Sequence, residues 1–255
     1  MIFTDSHAHV YSEEFLNDAD ECFKRTIESG VSRVFVPNVD VDSVQSLKNI
    51  CDKYYLNYFP MMGLHPCSVK DDYKTQLKVI YDELISSKYY AVGEIGMDLY
   101  WDKTTFDIQK NAFIGQANWA IKFDLPVSIH SREATKELIK IIKDEKLSEL
   151  RGIFHCFSGD ETEAREIINM GFYLGIGGVV TYKNSTLTQV LKSIGSEKLV
   201  LETDSPYLPP TPYRGKRNET SYIPLIAEKL ALLFDVTVAE IAEITTDNSK
   251  KVFGI

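Results

Sequence analysis

Histidine is scarce in this chain, five in 255 residues, and cysteine scarcer still at four. Cys22, Cys51, Cys67 and Cys156 show neither a C-x-x-C spacing nor the density of a disulfide scaffold, so reduced thiols are expected. No run approaches the roughly 18 apolar residues that a membrane-spanning helix needs, which excludes the membrane as a partner. Asp5 and His7 stand where a secretory signal would place a basic start and an apolar core, and a cytoplasmic protein is the resulting expectation. Basic charge is short as well: 28 Lys and Arg against 37 Asp and Glu leave a net charge of -9. That excludes a surface that grips nucleic acid by bulk electrostatics, because such binding neutralises phosphates with Lys and Arg. A polyanionic substrate would need a local source of positive potential, such as a metal ion.

What the chain does have is the ordinary balance of a soluble globular protein, 44% hydrophobic and 25% charged. Eight short β-rich runs, "MIFTD", "RVFVPNV", "NYFPMMGL", "YYAVGEI", "LPVSIH", "RGIFHC", "GFYLGIGG" and "KLVLETD", alternate with longer stretches of helical period. Among the latter are "NDADECFKRTIESG", "SREATKELIKIIKDEKL" and the closing "TVAEIAEITTDNSKKVFGI". Strand and helix alternation gives parallel sheets, and eight repeats with no Pro- or Ser-rich linker predict an α/β fold, a single-domain (β/α)8 TIM barrel over residues 1–255. A doubly wound open sheet is the runner-up. In such a barrel, catalytic groups come from the C-terminal ends of the strands and the loops that follow.

All five histidines fall at such places: His7 and His9 after the first strand, His65 after the third, His130 after the fifth and His155 after the sixth. Two carboxylates join them, Glu94 ending the fourth strand and Asp204 the eighth. Unpaired carboxylates are costly to bury, and a divalent cation would compensate them. Residues i and i+2 of a strand share a face, so His7 and His9 can converge on one ion. Ring closure brings Asp204 beside them, while Glu94, His130 and His155 come from three adjacent strands on the opposite arc. Two nests result, and Glu94, with two oxygens, could bridge them as two-metal hydrolases do. Mixed imidazole and carboxylate ligation suits Zn, Mn, Fe or Ni, and Mg less obviously.

With these residues in place the sequence resembles the TatD family of metal-dependent deoxyribonucleases, within the amidohydrolase-like TIM barrels. The resemblance spans nearly the whole chain, through "DSHAHV", "GLHP", "AVGEIGMDLYW", "IHSREA", "FHCFSGD", "GFYLGIGGVVTYKN", "ETDSPYLPPTPYRGKRNET" and "NSKKVFGI". It implies that His7, His9 and Asp204 hold one metal, that His130 and His155 hold the other, and that Glu94 is shared. A glutamate in "VGEIG", where many amidohydrolases carry a carboxylated lysine, favours the nuclease branch. Two positions depart from the family: Cys67, where a histidine is frequent, and Thr220, where proline is usual.

Around this core stand the candidate substrate residues. His65 could donate to a phosphate or protonate a leaving group, or it could be a structural histidine in a tight loop. Arg132, two residues past His130, could bind a phosphate bidentately or pair with Glu133 or Glu137. In "YRGKRNE", Arg214, Lys216 and Arg217 could line a phosphate-binding rim or pair with Glu219. Tyr100 and Trp101 are placed to stack bases, whereas Tyr89 and Tyr90 read as barrel core. The glycines of "GFYLGIGG" lack the G-x-G-x-x-G spacing of a dinucleotide site and suit close packing of the seventh strand. Asp5 is expected only to hydrogen-bond a neighbour at the barrel mouth.

The resulting expectation is a divalent-metal-dependent hydrolase of phosphodiester bonds, a deoxyribonuclease with a nucleic-acid substrate and no obligate protein partner. Asp204 would accept the proton of the attacking water. The alternative keeps the metals and changes the bond to an ester or amide, for instance in removing a D-aminoacyl group from tRNA. A barrel serving only as an interaction module would be expected to lack ligands, and none is missing.

Overall fold

Each short apolar run becomes a strand buried on both faces, with the intervening amphipathic segments wrapped outside. The computed structural model describes residues 1–255. The strands are β1 (Phe3–Asp5), β2 (Val31–Pro37), β3 (Tyr58–Met61), β4 (Val92–Asp98), β5 (Val127–Arg132), β6 (Gly152–Phe154), β7 (Tyr173–Ile176) and β8 (Leu199–Leu201). The helices are α1 (Ala19–Glu28), α2 (Val44–Lys53), α3 (Tyr73–Ser86), α4 (Phe106–Lys122), α5 (Thr135–Asp144), α6 (Glu161–Asn169), α7 (Leu187–Ile194), α8 (Ile223–Phe234) and α9 (Val238–Phe253). One helix follows each strand, and every strand pair is parallel. This is the expected barrel, with α9 as an addition to the eight connections.

Regular pairing forms two arcs, β1-β2-β3 and β4-β5-β6-β7-β8. Individual bonds close the ring at both seams. Between β3 and β4, Met62 N donates to Ala91 O at 3.1 Å and Gly93 N to Met62 O at 3.1 Å. Between β8 and β1, Ser6 N donates to Leu201 O and Asp204 N to His7 O, both at 2.9 Å. Asp5 reinforces the second seam by accepting from Thr203 Oγ1 at 2.6 Å and Thr203 N at 3.0 Å. Burial pushes this carboxyl up to about 8, against the hydrogen bonds from Thr203 and His7.

Two glycines sit where chains approach too closely for a side chain. A Cβ on Gly96, whose φ is +138°, would lie 2.1 Å from the carbonyl oxygen of His130. One on Gly175 would lie 2.1 Å from Glu202 Oε2, so the strand-seven glycine is spent on a buried carboxylate.

The closing helix α9 plugs the floor of the barrel. Its Phe253 stacks on Phe35 at 3.5 Å between centroids, over Met61, Ile153 and Val200. The plug leaves the opposite end, where the strands terminate, as the accessible mouth.

At that mouth the long loop after β8 is fastened to α1. Arg217 donates to both oxygens of Asp18 at 2.7 Å and to Glu219 at 2.9 Å, and Arg25 donates to Glu219 through Nε at 2.8 Å. Asn218 Nδ2 donates to the carbonyls of Thr203 and Tyr207 at 2.7 and 2.6 Å. The carboxyls of Asp18 and Glu219 are held below their ordinary range, Asp18 chiefly by Arg217 and Glu219 by Arg25 and Arg217 acting against its burial.

Phe35 is fully buried. Phe35→Ala should lower unfolding free energy by about 3–5 kcal/mol, read from urea denaturation followed by circular dichroism. The loop anchor carries a pH signature. Depressed carboxyls contribute stability above their unfolded values near pH 4 and lose it as the pH falls through the lower folded values. Arg217→Met should therefore cost about 1–2 kcal/mol at neutral pH, a figure reduced for partial exposure. The difference from the parent in thermal midpoint should shrink in acid.

Candidate metal centre

The five histidines of the chain all place a ring nitrogen within reach of one carboxylate. Glu94, 1% exposed in β4, has its two oxygens divided between two groups. Oε2 lies 3.2 Å from His7 Nε2 and 3.4 Å from His9 Nε2. Oε1 lies 2.7 Å from His155 Nε2, 2.8 Å from His130 Nδ1 and 3.3 Å from His65 Nε2. Asp204 Oδ1 completes the first group at 3.6 Å from His9 and 3.8 Å from His7.

The backbone that delivers these groups differs from the expected strand ends. His7 and His9 lie beyond β1, so strand alternation alone does not align them; Ala8 N donates to Phe35 O at 3.0 Å and His9 N to Ser205 O at 2.7 Å, extending irregular pairing to both sides. Glu94 and His130 stand inside β4 and β5, each of which continues past them to Asp98 and Arg132. Asp204 follows β8 with a left-handed φ of 54°, which Asp tolerates better than most residues. Glu94 thus stands beside one seam and His7, His9 and Asp204 beside the other, while His130 and His155 come from the regularly paired β5 and β6.

Outer partners set what each imidazole offers inward. His130 Nε2 lies 2.9 Å from Asp98 Oδ2 and His155 Nδ1 faces Glu202 Oε1 at 3.7 Å. An outward proton on His130 Nε2, donated to Asp98, would leave Nδ1 to present a lone pair to a cation inside, whereas His155 Nδ1 lies beyond hydrogen-bond distance of Glu202 and has no partner. His7 Nδ1 pairs with Ser128 Oγ at 2.9 Å, leaving Nε2 inward. His65 is the reverse case: its Nδ1 accepts from Cys67 N at 3.0 Å, so a neutral ring carries its proton on Nε2, facing the site. Burial, with the neighbouring His130, lowers the pKa of His65 against the pull of Glu94.

Asp98 and Glu202 were not identified from sequence. Asp98 lies four residues past Glu94 on the same strand and Glu202 two before Asp204, and period-two spacing from each assigned carboxylate is the signal that could have found them. Glu202 is fully buried, accepts from Cys156 N at 2.5 Å, and has no partner for Oε2.

Electrostatic coupling is strong. Burial opposes charge on Glu94, but the surrounding imidazoles, His155 foremost, hold it well below the usual carboxylate range. Burial likewise opposes charge on His9, yet Asp204 and Glu94 raise it to about 9. His7, buried against His155, falls to about 4.

A divalent cation fits this donor set. His7 Nε2 and His9 Nε2 stand 3.3 Å apart, and the groups His7/His9/Glu94 and His7/His155/Asp204 each bring three ligand atoms within 4.8 Å of one another; His65 lies equally near Glu94 and His130 but turns its lone pair to Cys67 N. Asp18, Cys22 and Glu219 form a further such group, but Arg25 and Arg217 already neutralise it.

The remaining candidates sit around the mouth. Arg132 stacks over Tyr100 at 3.8 Å and lies 5.4 Å from Trp101, and both aromatics are exposed. Neither alternative partner, Glu133 or Glu137, pairs with Arg132. The basic run after Asp204 divides: Arg217 is consumed by Asp18 and Glu219, whereas Arg214 stacks over Tyr182 at 4.3 Å. Thr220, at the atypical position, makes a short hydroxyl contact with Thr26 of α1. Tyr89 is buried and Tyr90 packs at the barrel floor, as expected for core. No helix is long and apolar enough to cross a membrane.

Comparison with known proteins finds relatives along the whole chain. The metal-dependent hydrolase YabD of Bacillus subtilis is 40% identical over the full length of both chains. The 3'-5' ssDNA/RNA exonuclease TatD of Escherichia fergusonii is 29% identical, with 98% of each chain covered. The crystal structure of YjjV, a TatD homologue from Escherichia coli, superposes with a TM-score of 0.93 at 28% identity, covering 99% of this chain and 98% of its own. The family model described as TatD related DNase matches residues 4–254, and the chain therefore belongs to the TatD family.

Proposed function

We propose that this protein is a divalent-metal-dependent hydrolase of phosphodiester bonds in nucleic acid, with DNA as the principal substrate and the cytoplasm as its location. The observation that carries the reading is the Glu94 carboxylate, one oxygen facing His7 and His9 and the other facing His130 and His155. His7, His9 and Asp204 would hold one ion, His130 and His155 a second, and Glu94 would be shared. When bound, such ions supply Lewis-acid activation of water and of a phosphoryl oxygen.

The protein's own groups do the rest. Asp204, the least buried of the site carboxylates with a side chain 14% exposed, is placed to accept the proton of the attacking water. His65 directs an N–H into the site and serves as hydrogen-bond donor to the phosphate or the leaving oxygen, outside the ligand set. Tyr100 and Trp101 offer exposed faces for base stacking. The ester or amide alternative would use the same centre. The exonuclease activity for which the Escherichia fergusonii relative is named favours the phosphodiester.

Product mapping on end-labelled single- and double-stranded DNA, with metal analysis of the same preparation, tests this reading. His130→Ala and Asp204→Asn should each abolish metal-dependent cleavage while circular dichroism stays unchanged; most activity surviving in either would sink the assignment. Asp98→Asn should let the side chain donate to His130 Nε2 and move the ring proton inward, weakening metal affinity by about 10–100-fold. Competition with a fluorescent chelator measures it.

A further inference from the structure

Arg132 and Arg214 share an unusual setting. Arg25, Arg151, Arg165 and Arg217 each have a carboxylate within 4 Å. Arg33, Arg132 and Arg214 have none, although acidic residues outnumber basic ones in the chain, and of these three only Arg132 and Arg214 lie over an aromatic ring. Each instead sets its guanidinium carbon over a tyrosine ring: Arg132 at 3.8 Å from the Tyr100 centroid and Arg214 at 4.3 Å from that of Tyr182. Stacking fixes the plane of a guanidinium by its face and leaves its N–H edge free, the edge that binds a phosphate bidentately.

Both supports are rigid. Tyr100 N and Trp101 N donate to Asp98 Oδ1 at 3.0 and 3.2 Å, tying the Arg132 platform to the carboxylate that holds His130. Tyr182 donates its hydroxyl to Pro209 O at 2.9 Å, and Thr211 N donates to Thr181 Oγ1 at 2.8 Å. On the far side of Arg214 the loop is pinned by Arg217, and Tyr213 stacks on Tyr222 at 4.2 Å. Side-chain entropy that a mobile arginine would lose on binding is already spent.

Their placement in the ring is informative. Arg132 ends β5, two residues past His130, and Arg214 lies in the loop after β8, ten residues past Asp204. One guanidinium therefore follows the strand that carries His130, and the other lies in the loop that carries Asp204, so each half of the Glu94 donor set has its own arginine.

We propose that Arg132 and Arg214, each set over a tyrosine ring and without a carboxylate partner, form a two-point clamp for backbone phosphates next to the scissile one, selecting a polynucleotide chain over a substrate with a single phosphodiester. This rests on the reading of the Glu94 centre as a phosphodiester hydrolase. A one-linkage substrate meets only the centre, whereas an oligonucleotide reaches the centre and both arginines.

The test compares Arg132→Met, Arg214→Met and the double variant with the parent on bis(p-nitrophenyl) phosphate and on oligothymidylates of increasing length. Each single variant should lose at least about tenfold more kcat/KM on long oligomers than on the small diester, mostly through KM, and the gain with chain length should vanish in the double variant. Binding of a labelled oligothymidylate to metal-chelated protein, by fluorescence anisotropy, gives a readout independent of turnover. The slope of log K against log salt should flatten by roughly 0.7 per arginine removed. Equal losses on both substrates, or an unchanged salt slope, would overturn the clamp. If the parent cleaves neither substrate, the hydrolase reading falls, and the salt slope still decides the clamp.

Discussion

Glu94 is the constraint on which the site depends. A carboxylate 1% exposed at the heart of a barrel is expensive to desolvate. Here it is surrounded by a ring nitrogen from every histidine in the chain, at 2.7 to 3.4 Å. Removing it would leave those imidazoles crowded on one another, with no carboxylate between them and only Asp204, Asp98 and Glu202 around the outside. The mouth of the barrel is thus organised around one side chain: the β8–β1 seam brings His7 and His9 to one oxygen, and the regularly paired β5 and β6 bring His130 and His155 to the other.

Geometry near Glu94 is enforced from outside. Asp98, Glu202 and Ser128 face the outward nitrogens of His130, His155 and His7, while a backbone N–H from Cys67 faces that of His65. Four histidines of similar position are thereby divided between lone-pair donors and one N–H donor by partners that never enter the site. Gly175 belongs to the same arrangement, because any side chain there would collide with Glu202.

Much of this was legible in the sequence. Alternating apolar runs and helical periods are local signals, and they specify a (β/α)8 barrel almost strand for strand; the strand-end rule then picks out the histidines, Glu94 and Asp204. Strand ends were less legible: β4 and β5 outrun Glu94 and His130, while β1 stops short of His7, because pairing at the seams is decided by partners distant in sequence. Distance also hid the roles of the basic run. Arg217 and Arg214 are three residues apart, yet one meets Asp18, 199 residues away, and the other a tyrosine on the β7 loop. The floor plug by Phe253 was hidden for the same reason, since an amphipathic period says that a helix buries one face without saying on what.

Anomalous X-ray scattering from crystals grown with Mn²⁺ tests the central claim most directly. The account predicts two peaks, one against each oxygen of the Glu94 carboxylate, with His7, His9 and Asp204 around the first and His130 and His155 around the second. A single peak, a peak coordinated by His65 in place of His130, or no peak touching Glu94 would contradict it.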